Sequence, residues 1–250
     1  MSHRDSLIKK NKELKKPMDL MNVGFVGNIG GGSIGWDYDD DFSTNKGWTV
    51  SGSGNQIDTA NSQLDFNLTR SPSFQGAYIP TNDADVFGEN FSDTSYIMRF
   101  HAMNYSSINT TYAYNPIMQA RTTGNSTSES SDDALSAWCY PTPQYTNQFS
   151  ATANDNGTGY FSADNTVSWS ENTNYYIENI RNSATEMRAT RSSSDSFNAN
   201  ESDQTLTIPS TIIGLKNITI QADHAGSVST RTNVGTINQI QATKVGNVAP

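Results

Sequence analysis

The chain has 250 residues, 34% of them apolar, and a net charge of −9. The acidic balance argues against nucleic acid as the main partner, and Cys139, the single cysteine, rules out an internal disulfide. No run approaches the roughly 20 apolar residues that span a bilayer, and Tyr, Phe and Trp recur too often along the chain for disorder throughout.

Residues 1–36 read as an arm. Lys9, Lys10, Lys12, Lys15 and Lys16 make its first half basic against an acidic remainder. That asymmetry suits docking onto an acidic partner, and equally a solvated tail. Leu7, Ile8 and Leu14 fall near one side of a short helix that Pro17 would end. A helix so short orders only against something else. Asn22 to Gly35 holds six glycines and reads as a flexible linker or an extended arm. Gly30-Gly31-Gly32 has neither the preceding strand nor the lysine and following helix of a phosphate-cradling loop.

From Asp37 onward the signals are those of strands. Phe42, Trp48 and Val50 are apolar anchors in a polar run. Gln63 to Leu68 alternates, with Leu64, Phe66 and Leu68 on one face. Ser95 to Met103 sets Tyr96, Met98 and Phe100 against Ile97, Arg99 and His101. Ala134 to Tyr140 sets Leu135, Ala137 and Cys139 against Ser136, Trp138 and Tyr140. Asn174 to Arg181 and Ala184 to Arg191 suggest a hairpin turning at Asn182-Ser183. Leu215 to Ala222 alternates, and Thr236 to Thr243 is the expected last strand. Thr122 to Asp133 reads as a long, mobile polar loop. The fold class expected is all-β, an antiparallel two-sheet jelly-roll sandwich over residues 37–250 with an extended or short helical N-terminal arm.

Three stretches carry a resemblance. They are Asp40-Asp41-Phe42 with Gly47-Trp48 and Leu64–Phe66, the segments Asn174–Ile180 and Met187–Thr190, and the closing pair Gly214–Ile220 and Gly235–Ile240. Their order resembles the concanavalin A-like lectin/glucanase superfamily, including laminin-G-like modules. The resemblance implies that the first and last strands lie side by side. Asn238 and Gln239 stand where that pattern usually has acidic residues, which departs from its metal-binding version.

Glucanases of this resemblance need a Glu-x-Asp-x-x-Glu strand. No such run occurs, and Glu178 lacks carboxylates two residues away. Asp37, Asp39, Asp40 and Asp41 crowd hard oxygen ligands into five residues and are the calcium candidates, with Asn82, Asp83 and Asp85 as a second cluster. An acidic turn that is simply solvated fits the same residues. Sugar binding would use aromatic rings with polar groups beside them. Trp138 and Tyr140 project from one strand face and Arg99 and His101 from another, so these four are the carbohydrate-binding candidates. The competing reading puts Trp138 and Tyr140 in the core. Tyr112, Tyr114, Tyr145, Tyr160 and Trp169 are further ring candidates on loops. The leading expectation is a non-enzymatic virion structural protein, capsid-decorating or tail-associated. It would be oligomeric or part of a larger assembly, tethered by residues 1–36, displayed on the particle surface, and able to bind host glycans. An extracellular carbohydrate-binding module or lectin is the alternative, and a polysaccharide-cleaving enzyme is the third.

Overall fold

The alternation at Gln63–Leu68 is where the architecture begins. In the computed structural model, which describes residues 35–69, 73–108, 116–125, 132–141, 148–163, 165–197, 200–222 and 232–244, this segment is strand β4 (Gln63–Thr69). Leu64, Phe66 and Leu68 are buried and the residues between them half-buried. Two sheets pack face to face. One holds β1 (Tyr38–Asp40), β3 (Gln56–Asp58), β4, β6 (Tyr96–Ser107), β12 (Asn174–Ser183), β13 (Glu186–Ser192), β14 (Asn200–Thr207), β16 (Thr232–Ile237) and β17 (Gln239–Thr243). The other holds β2 (Thr49–Ser51), β5 (Gly76–Pro80), β7 (Pro116–Arg121), β8 (Ala134–Tyr140), β9 (Gln148–Asp155), β10 (Thr158–Phe161), β11 (Asn165–Thr166) and β15 (Asn217–Ala222). The ladders are antiparallel. Among the described residues no helix is long and apolar enough to cross a membrane. The expected all-β sandwich is what forms, and the first and last strands do lie side by side, Tyr38 opposite Ala242 and Asp40 opposite Ile240.

The nine-stranded sheet runs β14-β13-β12-β6-β16-β4-β3, and β17 lies between β6 and β1. Its long strand β6 bridges two partners on one edge, β17 along Ile97–His101 and β16 along Asn104–Ser107. The expected last strand is therefore two strands. The chain breaks step at Asn238, whose N–H donates to the His101 carbonyl at 3.1 Å. That break lets both Ile237 and Ile240 reach the core, which strict alternation forbids. In β6 the matching irregularity is Ala102, at φ 51°, after which Met103 and Tyr105 rejoin the face of Tyr96, Met98 and Phe100. The central hairpin also turns two residues later than expected, with Ser183 opposite Glu186. Asn182 stays in the strand, and its Nδ2 donates to Glu186 Oε1 at 2.9 Å.

The eight-stranded sheet runs β10-β9-β8-β7-β15-β5-β2, with β11 beside β9. Met118, Leu135, Ala137, Cys139, Phe149, Ile218 and Ile220 form its core face. One polar side chain joins the two layers. Asn179 of β12 is buried, and its Nδ2 donates to the carbonyls of Met118 and Leu135 at 3.2 and 2.8 Å. Its Oδ1 accepts from the Tyr96 hydroxyl at 3.1 Å. A buried amide satisfied on both ends fixes how the sheets register.

Residues 36–69 show how the domain is closed at its start. Asp40 is fully buried and acts as the acceptor for three donors. These are the Tyr38 hydroxyl at 2.6 Å, the Trp48 Nε1 at 2.8 Å and the Phe42 amide at 2.9 Å. Phe42, at φ 57°, turns its ring into the core against Trp48.

Candidate functional site

The face of the eight-stranded sheet that points away from the core is polar, yet much of it is also buried. Strand registers align its side chains in rows. One row runs Tyr78, Thr219, Gln119, Ser136, Thr152, Phe161 across β5, β15, β7, β8, β9 and β10. The next runs Gln221, Ile117, Trp138, Ser150. Asn217, Arg121, Ala134 and Asn154 form a third. A pocket of about 190 Å³ opens here, lined by Gln119, Arg121, Ser136, Trp138, Thr152, Asn154 and Phe161 among others. It is smaller than the roughly 300–1,000 Å³ of sites for drug-sized ligands. It suits one ring, or one substituent, of a longer molecule.

Arg121 organises the pocket's polar side. It is 1% exposed. Nη2 donates to Asp132 Oδ2 at 2.6 Å, and Nη1 donates to Gln221 Oε1 at 2.7 Å and to Gln119 Oε1 at 3.2 Å. The guanidinium thereby fixes both glutamine amides in one orientation. Asp132 Oδ1 accepts from the Thr123 hydroxyl at 2.9 Å, so both its oxygens are engaged. Its neighbour Asp133 accepts from the Asn156 and Ile213 amides. The stretch expected as a mobile polar loop, Thr122 to Asp133, ends in two buried anchors, Asp132 and Asp133.

Rings make the other side. Trp138 and Tyr140 stand on the outer face of β8, opposite Leu135, Ala137 and Cys139, so they are not the core face. Their centroids are 5.2 Å apart. Phe161 lies edge-on to Trp138 at 5.8 Å and is 60% exposed. It is held there by the hairpin of β9 and β10, which turns on Asn156-Gly157 with φ 45° and 93°, the two left-handed positions of a tight hairpin loop. At Gly159 a Cβ would come within 2.9 Å of the Phe161 ring, which would have to shift to admit it.

Arg99 and His101 are on the other sheet, on the outer face of β6, with the whole sandwich between them and Trp138. The four expected sugar-contacting residues do not form one site. Alternation within a strand sets which residues share a face, but not which sheet the strand joins. Arg99 is covered by Trp36 and Phe197, at 5.0 and 4.5 Å from the ring centroids, and its Nε donates to Glu178 Oε1 at 2.7 Å. His101 Nε2 lies 3.0 Å from Gln241 Oε1, and its ring meets Tyr176 and Phe197 edge-on. Burial is the main reason that His101 titrates below its ordinary value; Arg99 adds to the lowering and the Gln241 contact opposes it. As pH falls, the unfolded chain takes up this proton first, at about 6.5. Stability present above that pH is therefore lost on acidification until the folded value is reached. His101→Gln is expected to flatten the stability profile just below about pH 6.5, measured by urea denaturation. A profile with the same slope in both proteins would contradict this.

The acidic stretch is used residue by residue. Asp37 Oδ2 accepts from the Lys244 amide at 2.8 Å, and Asp39 accepts from Gln239 and Gln241 at 2.7 and 3.1 Å. Asp41 accepts the Ser43 amide and hydroxyl, bonds that lower its pKa. With Asp40 committed to Tyr38, Phe42 and Trp48, the four carboxylates point to separate partners. Asp83 caps its own turn through the Asp85 amide at 3.0 Å. Among the described residues no group of three or more His, Cys, Asp or Glu comes together that could hold a metal ion. Tyr160 packs against the core and Trp169 is buried in it. Lys9, Lys10, Lys12, Lys15, Lys16, Tyr112, Tyr114 and Tyr145 lie outside the described residues.

Gln119, Arg121, Gln221 and Phe161 were not among the sequence candidates. The Asn156-Gly157 pair was the available signal for Phe161, since such a pair between alternating segments marks a hairpin.

No family model matches the sequence, and no curated protein matches it. Solved structures do. The chain is similar to the CBM2 module of the evolved Dit of Lactobacillus casei BL23 phage J-1, at 13% identity and a TM-score of 0.50 over 86% of this chain and 97% of that one. It is similar to the VIP36 exoplasmic/lumenal domain in its Ca2+/Man3GlcNAc-bound form, at 11% identity and a TM-score of 0.55 over 86% and 91%. It is also similar to peanut lectin with a 9mer peptide, at 11% identity and a TM-score of 0.51 over 82% and 95%. The fold is that of the concanavalin A-like lectin sandwich.

Proposed function

We propose that the chain is a carbohydrate-binding sandwich that captures a saccharide in the pocket on the outer face of the eight-stranded sheet, without turning it over. The observation that carries this reading is the pairing of a ring cluster, half-buried at Trp138 and Tyr140 and exposed at Phe161, with a polar floor. Trp138, Tyr140 and Phe161 offer faces for a pyranose ring. Beside them Gln119, oriented by Arg121, and Ser136, Thr152 and Asn154 offer amides and hydroxyls for its hydroxyl groups. The carboxylate pair that glycoside hydrolysis needs is not among the lining residues. A glycan array probed with the full chain tests the reading. Wild type is expected to give saturable hits, and Trp138→Ala with Phe161→Ala is expected to weaken them about 100-fold, the loss of two ring contacts of about 1–1.5 kcal/mol each. Hits are expected to persist in excess EDTA, because the lining supplies no carboxylate. An array without hits would sink the reading, and loss in EDTA would return Asp37, Asp39, Asp40 and Asp41 to the account as a calcium site.

The finer reading is a module displayed on a virion surface, capsid-decorating or tail-associated, and tethered by residues 1–36. The likeness to a phage module supports it. Deleting residues 1–35 is expected to abolish incorporation into the particle and to leave array hits unchanged. A truncated body that still joins its particle would contradict the tether. An extracellular lectin is the alternative, and the same deletion separates the two.

A further inference from the structure

Trp138 carries a polar atom that the fold leaves without a partner. Its indole Nε1 is buried and makes no hydrogen bond. Buried N–H groups are rarely left in that state. Two other indoles in the chain show the ordinary arrangement: Trp48 Nε1 donates to Asp40 at 2.8 Å and Trp169 Nε1 to the Gln148 carbonyl at 3.3 Å. Trp138 differs from them in lining the pocket.

The surroundings narrow what can accept from it. The pocket's cation, Arg121, already has its charge matched by Asp132 at 2.6 Å. The chain as a whole carries a net charge of −9. A sugar carboxylate would therefore meet no unmatched positive charge, and a neutral acceptor is favoured. Beside the indole stands Phe161, an apolar ring 60% exposed to solvent. A ligand group that offers an oxygen acceptor and, next to it, a small apolar surface satisfies both neighbours. A hydroxyl supplies only the first.

Resting on the saccharide-binding reading, we infer that the pocket selects a pyranose bearing an acetamido group, its carbonyl oxygen accepting from Trp138 Nε1 and its methyl group lying on Phe161. Because the indole N–H is buried, binding requires a neighbouring ring to turn aside, and Phe161 lies edge-on to Trp138. That ring's exposure, at the sheet edge in β10, gives it room to do so. Trp138 is then the specificity-determining residue of the site, and Phe161 both its cover and the seat of the methyl group.

Calorimetric titration of the full chain with two matched sugar pairs tests this. The pairs are oligosaccharides of N-acetylglucosamine against glucose, and of N-acetylgalactosamine against galactose. At least one acetamido member is expected to bind about tenfold more tightly than its hydroxyl counterpart, the worth of one good hydrogen bond. Trp138→Phe, which keeps a ring and removes the N–H, is expected to erase that preference while leaving the thermal transition in place. Equal affinities within both pairs would overturn the acetamido inference and leave saccharide binding standing. A preference that survives Trp138→Phe would overturn the role of Nε1. Binding to none of these sugars, with no array hits, would overturn both.

Discussion

Asp40→Ala is expected to destabilise the domain by about 3–5 kcal/mol, the combined cost of buried donors that lose their acceptor. The carboxylate is fully buried and takes bonds from Tyr38, Phe42 and Trp48 at 2.6 to 2.9 Å. Alanine leaves the Phe42 amide and the Tyr38 hydroxyl without their acceptor, at about 1–3 kcal/mol for each buried donor. Trp48 Nε1 keeps only its longer contact to the Tyr38 oxygen, at 3.1 Å. The backbone loses support as well. Phe42 holds a left-handed φ of 57°, unfavourable for a non-glycine residue, and Asp40 Oδ1 fixes that turn. Asp40→Asn preserves shape and one acceptor, so about 1–2 kcal/mol is expected. Urea denaturation of the full chain measures both. An alanine variant within about 1 kcal/mol of wild type would show that the network is not what closes the domain.

Arg121→Met is the second change with a large expected effect, and it acts on stability and on the site together. Methionine fills much of the volume but leaves Asp132 without its counter-ion in a buried place, at a cost of about 3–5 kcal/mol. It also frees Gln119 and Gln221 from the guanidinium that orients them. Glycan binding is expected to fall at least about tenfold, the effect of losing one hydrogen-bond equivalent of preorganisation. The double variant Arg121→Met with Asp132→Asn separates the two consequences. It removes the stranded charge, so most of the stability is expected to return, while the amides stay unheld and binding stays weak. Recovery of binding along with stability would mean that Arg121 serves the fold alone.

The sequence was most legible where one face of a strand is wet. Gln63–Thr69 alternates in the chain and in burial, and Phe42, Trp48, Leu64 and Phe66 are core as read. Legibility failed at β7 and β9, which flank the strand of Trp138. All six residues of Pro116–Arg121 are buried, so no wet positions mark its period, and a strand buried on both sides looks like any short apolar run. Arg121 and Asp132 lie eleven positions apart with much of a polar loop between them, and nothing local announces that they pair. Asp37–Asp41 is a different case. Clustered carboxylates look like ligands in sequence, but a strand sends neighbours to opposite faces, and Asp39 and Asp40 are separated by that rule. The pair of Arg99 and His101 shares a face as read, on the sheet away from the pocket.

Under the proposed function, saccharide enters at Trp138. The chain has four tryptophans, and they report on four places: Trp36 on the outer face of the nine-stranded sheet, Trp48 at the Asp40 network, Trp169 in the core and Trp138 at the pocket. Their indole N–H resonances can be followed together by 1H–15N NMR while an oligosaccharide panel, the same acetamido and hydroxyl pairs, is titrated into the full chain. A saturable shift of the Trp138 resonance is expected, with the other three nearly still. A Trp138 signal that stays fixed while sugar binds, or a shift centred on Trp36, would place the binding site elsewhere and contradict that expectation.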